Sequence, residues 1–147
     1  MPTRTSITTW TGALETGTGT VELASSKQGT FDVSYPKRVA DEAGGATSPE
    51  ELVGAAHSAC YAMALSGVVA SHGGAVGSLS VKADVTLGPD KVDGGFKLTG
   101  ITLTVRADIS GLSVDDFALA AEEAKKGCPL SKALAGVDIT LDAALIS

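Results

Sequence analysis

Two cysteines carry the strongest claim on chemistry in this 147-residue chain. Cys60 sits in TSPEELVGAAHSACYAMALSGVVASHGG, residues 47–74, with His57 three positions before it. Cys128 sits in KKGCPLSKAL, directly ahead of Pro129. A thiol acts as a nucleophile or redox centre only as its thiolate, so acidity decides what each one can do. Cys60, on an apolar helix, reads as a small core hydrophobe as readily as a reactive group. Cys128 falls at the start of the turn that Pro129 opens, where unpaired backbone N–H groups favour negative charge. By position alone it is the more acidic thiol. His57 shares a helical face with Cys60, a spacing that fits a nucleophile and its base. His57, His72 and the two cysteines also make four potential zinc ligands, but no C-x-x-C or similar short spacing accompanies them, and no metal site is expected.

The charged candidates flank the same helix. Ser48, Pro49 and Glu51 form a helix start: Ser48 as N-cap, Pro49 at the first position, and Glu51 as the reciprocal partner of a capping box. That leaves Glu50 with no local duty beyond its place at the positive helix end. Arg38, with Lys37 beside it, lies in PKRVADEAGGATS (36–48), which reads as a polar loop. Each of these charges, taken singly, reads as a solvated surface group. An arginine near a thiol would also stabilise the thiolate and bind a substrate oxygen.

Around these residues the pattern is mixed. TSITTW, GTVELA and GTFDVSY read as short strands separated by turns. The helix opening at Pro49 ends at Gly73 and Gly74. GSLSVKADVTLG alternates Leu79, Val81, Ala83, Val85 and Leu87 against polar residues, the mark of a half-buried strand. In FKLTGITLTVRADI the apolar phase shifts at Gly100, which predicts a β-bulge. A helix over Val114–Lys126 capped by Ser113, a helical turn over Pro129–Ala135 and an alternating strand VDITLDAALI complete the chain. The order predicts a two-layer α+β domain over residues 1–147, with a largely antiparallel sheet and one long buried central helix.

Hydrophobic residues make up 44% of the chain but aromatics only 4%. The core must therefore rest on Ala, Val, Leu and Ile, which favours burial against a second subunit. A net charge of −6 argues against nucleic acid and anionic membrane surfaces. Leu52–Ala70, interrupted by His57, Ser58 and Ser66, reads as a core helix rather than a membrane span. MPTRTSITTW has no apolar signal region, so the cytoplasm is the expected compartment, where a permanent structural disulfide is out of place.

SPEELVGAAHSACYAMALS together with KKGCPLSKAL resembles the OsmC side of the OsmC/Ohr family, and DKVDGGF and ITLDAAL extend the resemblance over nearly the whole chain. The resemblance implies a thiol-dependent peroxidase folded as an interlocked α+β homodimer. By motif, Cys60 matches the peroxidatic cysteine, Cys128 the resolving cysteine, Glu50 the glutamate and Arg38 the OsmC-type arginine, with Lys37 adjacent as the other candidate cation. The first hairpin, ETGTGTVEL, lacks the arginine that marks the Ohr branch. The family thus reverses the order of acidity read from position, giving Cys60 the first step. It implies an organic hydroperoxide as substrate, a lipoyl-type dithiol or thioredoxin as reductant, and no cofactor. Small apolar neighbours of Cys60 such as Ala56, Met63 and Ala64 suit that substrate.

Two other readings are open on the residues alone: a cysteine hydrolase or acyl-transferase using Cys60 and His57, and a non-catalytic binding domain with inert thiols. One further expectation is geometric. Glu50 and Cys60 lie ten positions apart on one helix, about 15 Å along its axis. Either the helix breaks between them or Glu50 serves the Cys60 of a second chain across a two-fold axis.

Overall fold

The computed structural model describes residues Met1–Ser147. It divides into two units, Met1–Leu52 and Val53–Ser147.

In the first unit, β-branched and aromatic residues form three short strands, β1 (Ile7–Thr11), β2 (Thr18–Glu22) and β3 (Thr30–Val33). They pair in that order as an antiparallel meander. The interval expected to be loop opens instead with a helical turn, α1 (Tyr35–Arg38). Ser34 accepts a hydrogen bond from the Lys37 N–H and Pro36 pre-sets the first turn, signals that a four-residue element leaves easy to miss. Val21 is the one large apolar side chain buried here, whereas Ile7, Trp10, Leu14 and Phe31 are exposed.

The second unit is built on α2 (Pro49–Ser71), whose first turn belongs to the first unit. Its start differs in one bond from the expected capping box. Ser48 Oγ accepts from the Glu51 N–H at 3.1 Å, but the Glu51 carboxylate takes the Thr47 hydroxyl at 3.1 Å rather than reaching back to Ser48. Its end is as expected. Gly73 adopts φ +82°, and the Gly74 N–H returns to the Val69 carbonyl at 3.0 Å. Gly54 marks a close approach rather than a kink: a Cβ there would lie 3.2 Å from the Ala83 carbonyl oxygen of the facing strand.

Strands β4 (Ala75–Pro89), β5 (Phe96–Ser110) and β6 (Ile139–Leu145) form the second sheet, β4 antiparallel and β6 parallel to β5. The bulge lies where the phase change placed it. Thr86 pairs with Gly100 and Leu87 with Leu98, leaving Thr99 unpaired. Beyond the phase change, Ile101, Leu103, Val105, Ala107 and Ile109 turn every second side chain inward. Onto them pack Tyr61, Leu65 and Val69 of α2 and Phe117, Ala120, Ala121 and Ala124 of α3 (Val114–Gly127). Ser113 caps α3, accepting from the Asp116 N–H at 3.1 Å. A short α4 (Pro129–Ala133) follows Cys128.

The fold is α+β, with two small three-stranded sheets in place of one. The central helix is buried on one face only. His57, Tyr61, Leu65 and Val69 are fully enclosed, while Met63 is 75% exposed, and Ala56, Ala59, Gly67 and Ala70 on the same side are open too. By length and a mean hydropathy of 1.5 this helix is able to cross a bilayer. Its enclosed face, closed against a sheet, is that of a core helix.

Candidate active site

The two cysteines, remote in sequence, meet. Cys60 comes from the middle of α2, and Cys128 ends α3 and caps α4. The helix breaks at Cys128, whose extended ψ of 122° is what a residue before proline prefers, and Pro129 opens the next helix. Their Sγ atoms are 3.3 Å apart and both thiols are free. A disulfide needs about 2.05 Å, so the sulfurs have little more than 1 Å to close. Cys128 is fully buried and Cys60 partly exposed, so a dissolved oxidant reaches Cys60 first.

Their surroundings set different acidities. Burial raises the Cys60 thiol above its ordinary value, the Leu130 N–H opposes it, and the neighbouring Cys128 adds to the rise; no cation enters that balance. Burial also acts against ionisation of Cys128. There the Ser131 N–H, the Cys60 thiol, the Ser131 hydroxyl and the Leu130 N–H together outweigh it, and the thiol is lowered. The two N–H groups are free donors at the start of α4, as the position of Cys128 implied.

His57 does not serve Cys60. Its ring is fully buried, and Nε2 lies 2.8 Å from Ser131 Oγ, on the Cys128 side. Burial holds its pKa below the ordinary histidine value. His72 pairs at the surface with Glu123 at 2.8 Å, so the two histidines and two cysteines do not converge. Ser131 is the residue that sequence reasoning passed over. The available signal was its place three residues into a helix whose N-cap is Cys128.

The charged candidates assemble in the first unit. Arg38, at the end of α1, grips Glu50 with a two-pronged contact: Nη2 to Oε1 at 2.7 Å and Nε to both carboxylate oxygens at 3.2 Å. Burial pushes Glu50 up, but the Arg38 guanidinium, the Glu50 backbone N–H and the Ser48 side chain together outweigh it and its pKa is lowered; that of Arg38 is raised, chiefly by its bond to Glu50. Lys37 instead donates to the Gly44 carbonyl at 2.6 Å, so of the two adjacent cations it is Arg38 that meets Glu50. Beside Arg38 opens a cleft of about 380 Å³ with Trp10, Leu14, Val21, Tyr35 and Leu52 in its walls.

The chain resembles known proteins along most of its length. Residues 41–142 match the family described as OsmC-like protein. The chain is 40% identical to Peroxiredoxin OsmC of Escherichia coli (strain K12) over 133 residues, 90% of each chain. It is 38% identical over 100 residues to Organic hydroperoxide resistance protein OhrA of Bacillus subtilis (strain 168), covering 67% of this chain and 68% of that one. Among solved structures, an organic hydroperoxide resistance protein from Elizabethkingia anophelis superposes with a TM-score of 0.78 at 29% identity, covering 99% of this chain and 97% of that one.

Proposed function

From the premise that the chain belongs to the OsmC-like proteins and is a thiol-dependent peroxidase, we propose that it reduces organic hydroperoxides through Cys60 and Cys128. The observation that carries this reading is the pair of reduced sulfurs 3.3 Å apart. The family match runs across both units of the chain, which supports treating residues 1–147 as one OsmC-like domain.

In the reaction, the Cys60 thiolate attacks the terminal oxygen of ROOH. The O–O bond breaks, the alkoxide takes a proton and leaves as ROH, and Cys60 becomes a sulfenic acid. Cys128 then attacks the Cys60 sulfur, the S–O bond breaks, water leaves, and a disulfide remains. An external dithiol, lipoyl-type or thioredoxin, reduces it. The apolar cleft beside Arg38 and the small side chains of α2 favour an organic peroxide over H2O2.

Cys60 needs a positive neighbour to ionise, and its surroundings in this chain raise its pKa. We assign that role to Arg38 of a second copy, held by Glu50 of that copy, in a homodimer with two sites. Three observations support this. The helix runs unbroken from Pro49 to Ser71, one face of it is left open with small apolar residues, and the first unit exposes Ile7, Trp10, Leu14 and Phe31. We propose the cytoplasm as its compartment, where a dithiol reductant is at hand.

The test is a steady-state assay of cumene hydroperoxide against H2O2 with each reductant. Faster consumption of cumene hydroperoxide supports the proposal, and no consumption with either reductant refutes it. Sedimentation at graded concentrations tests the dimer, which a concentration-independent monomer would exclude.

A further inference from the structure

The peroxidase reading gives no work to His57 and Ser131, yet both are buried beside the thiols. His57 is fully enclosed and Ser131 is 8% exposed. His57 Nε2 and Ser131 Oγ are 2.8 Å apart. Nδ1 of the same ring is buried with no partner. Ser131 is the third residue of the helical turn that Cys128 caps, which puts its hydroxyl on the side of the Cys128 sulfur, and that hydroxyl helps to lower the thiol's pKa. The three groups form a line: imidazole, hydroxyl, thiol.

A serine hydroxyl has one hydrogen, so the line runs in one of two directions. In the first, Nε2 carries the imidazole proton and donates to Ser131. The hydroxyl hydrogen is then free to point at Cys128, and Nδ1 keeps a bare lone pair. In the second, Ser131 donates to Nε2, its hydrogen is used up, and the ring proton sits on buried Nδ1 with no acceptor. A buried N–H without a partner is rarer and costlier than an acceptor short of one bond. A doubly protonated ring would bury the same orphan N–H together with a charge. Burial, which disfavours the cation, agrees.

We infer that neutral His57, protonated on Nε2, orients the Ser131 hydroxyl as a hydrogen-bond donor to Cys128, making the pair a relay that prepares the resolving thiolate. This rests on the peroxidase reading and adds positioning residues to its second step. The Cys128 thiolate attacks the sulfur of Cys60–SOH, the S–S bond forms as the S–O bond breaks, and hydroxide leaves to become water. The proton Cys128 gave up passes to solvent, so thiol plus sulfenic acid yields disulfide plus water. His57 loses and gains no proton over the cycle; it fixes where the serine hydrogen points.

The test separates the two chemical steps. Reduced full-length protein is mixed with cumene hydroperoxide, and the Cys60 sulfenic acid is trapped at intervals with a dimedone-type reagent and quantified by mass spectrometry. Losing one hydrogen bond to an ionised acceptor shrinks the thiolate fraction about tenfold, and the more basic thiolate recovers about threefold in nucleophilicity. Ser131→Ala and His57→Leu are therefore expected to lengthen the sulfenic acid's life about three- to tenfold. The slowing falls on the second phase, and appearance of the tag keeps its native rate. His57→Gln, whose amide presents an N–H near the Nε2 position, restores fast closure. Closure at native speed in Ser131→Ala, or His57→Gln as slow as His57→Leu, overturns the relay. Should the variants fold poorly, 15N NMR of the imidazole in the native reduced protein decides. A proton on Nε2 supports the inference and a proton on Nδ1 overturns it. That arm needs no peroxide, so failure of the native protein to form any sulfenic acid would count against the peroxidase reading and leave the tautomer result standing on its own.

Discussion

Residues 53–147 enclose a core in which Tyr61, Leu65, Phe117, Leu103 and Cys128 are all inaccessible, whereas residues 1–52 bury one large apolar side chain, Val21. The chemistry divides along the same line. The thiol pair lies in the packed unit, Cys60 carried by the middle of α2 and Cys128 by the junction of α3 and α4. The Arg38–Glu50 pair lies in the thinly packed unit, with the arginine side chain 34% exposed and the glutamate 11%. The difference teaches what each half needs. The thiols have all the positioning they require for a disulfide. The ion pair has a strong internal bond but sits on a surface of exposed apolar residues, which the proposed second chain would cover.

The sharpest break between the halves comes from the cysteines. Cys60→Ser is expected to drop peroxide consumption to the uncatalysed rate. Cys128→Ser still oxidises once and accumulates a taggable sulfenic acid, measured by mass spectrometry. Inert Cys128→Ser with active Cys60→Ser reverses the assigned order and restores the ranking by position. Next in size is Arg38→Ala, expected to lower kcat/KM about 100-fold, the scale of removing one charge-stabilising donor from an active site. Mixing Cys60→Ser chains with Arg38→Ala chains then shows which chain supplies the arginine. Random exchange makes half the dimers mixed, each with one intact site if the site is shared, so activity recovers to about a quarter of native. No recovery places Arg38 and Cys60 in the same chain.

A smaller effect concerns acid. Glu50 titrates below its ordinary value of 4.5 when folded, so its contribution to stability is present above that pH. It is lost as the pH falls through the folded pKa. Glu50→Gln is expected to melt earlier than the native protein at neutral pH, with the gap closing on acidification below about pH 4. A gap that is constant with pH would detach the effect from the carboxylate. The smallest change is Tyr61→Phe. The hydroxyl donates to the Ala121 carbonyl at 2.9 Å inside the packed unit, and its loss should cost about 1 kcal/mol in denaturant unfolding with little change in turnover.

Much of this was legible before the structure, for physical reasons that differ by residue. The caps of α2 and α3, the bulge beside Gly100 and the alternation of β4 and β5 are local, and short-range rules reach them. The turn α1 reads as loop in the sequence because four residues carry too little periodicity, although Ser34 and Pro36 mark it. The choice between Arg38 and Lys37 rests on resemblance, since adjacent cations look alike in sequence; the structure separates them, Arg38 bonding Glu50 and Lys37 Nζ the Gly44 carbonyl at 2.6 Å. The pairing of His57 with Ser131 was invisible, because 74 positions intervene and His57 stood nearer in sequence to Cys60. The burial expected all round α2 failed on one face, since an alanine- and glycine-rich helix does not reveal which sides its own chain will cover.

The central claim is that the two thiols, brought to 3.3 Å within one chain, exchange their hydrogens for a bond as the product of peroxide reduction. The most direct measurement adds one equivalent of cumene hydroperoxide to fully reduced protein, then counts free thiols and maps peptides without reductant. The account predicts the loss of both thiols per peroxide consumed, with Cys60 and Cys128 peptides joined within a single chain. Peroxide consumed with both thiols still free, or joined only between chains, would contradict it.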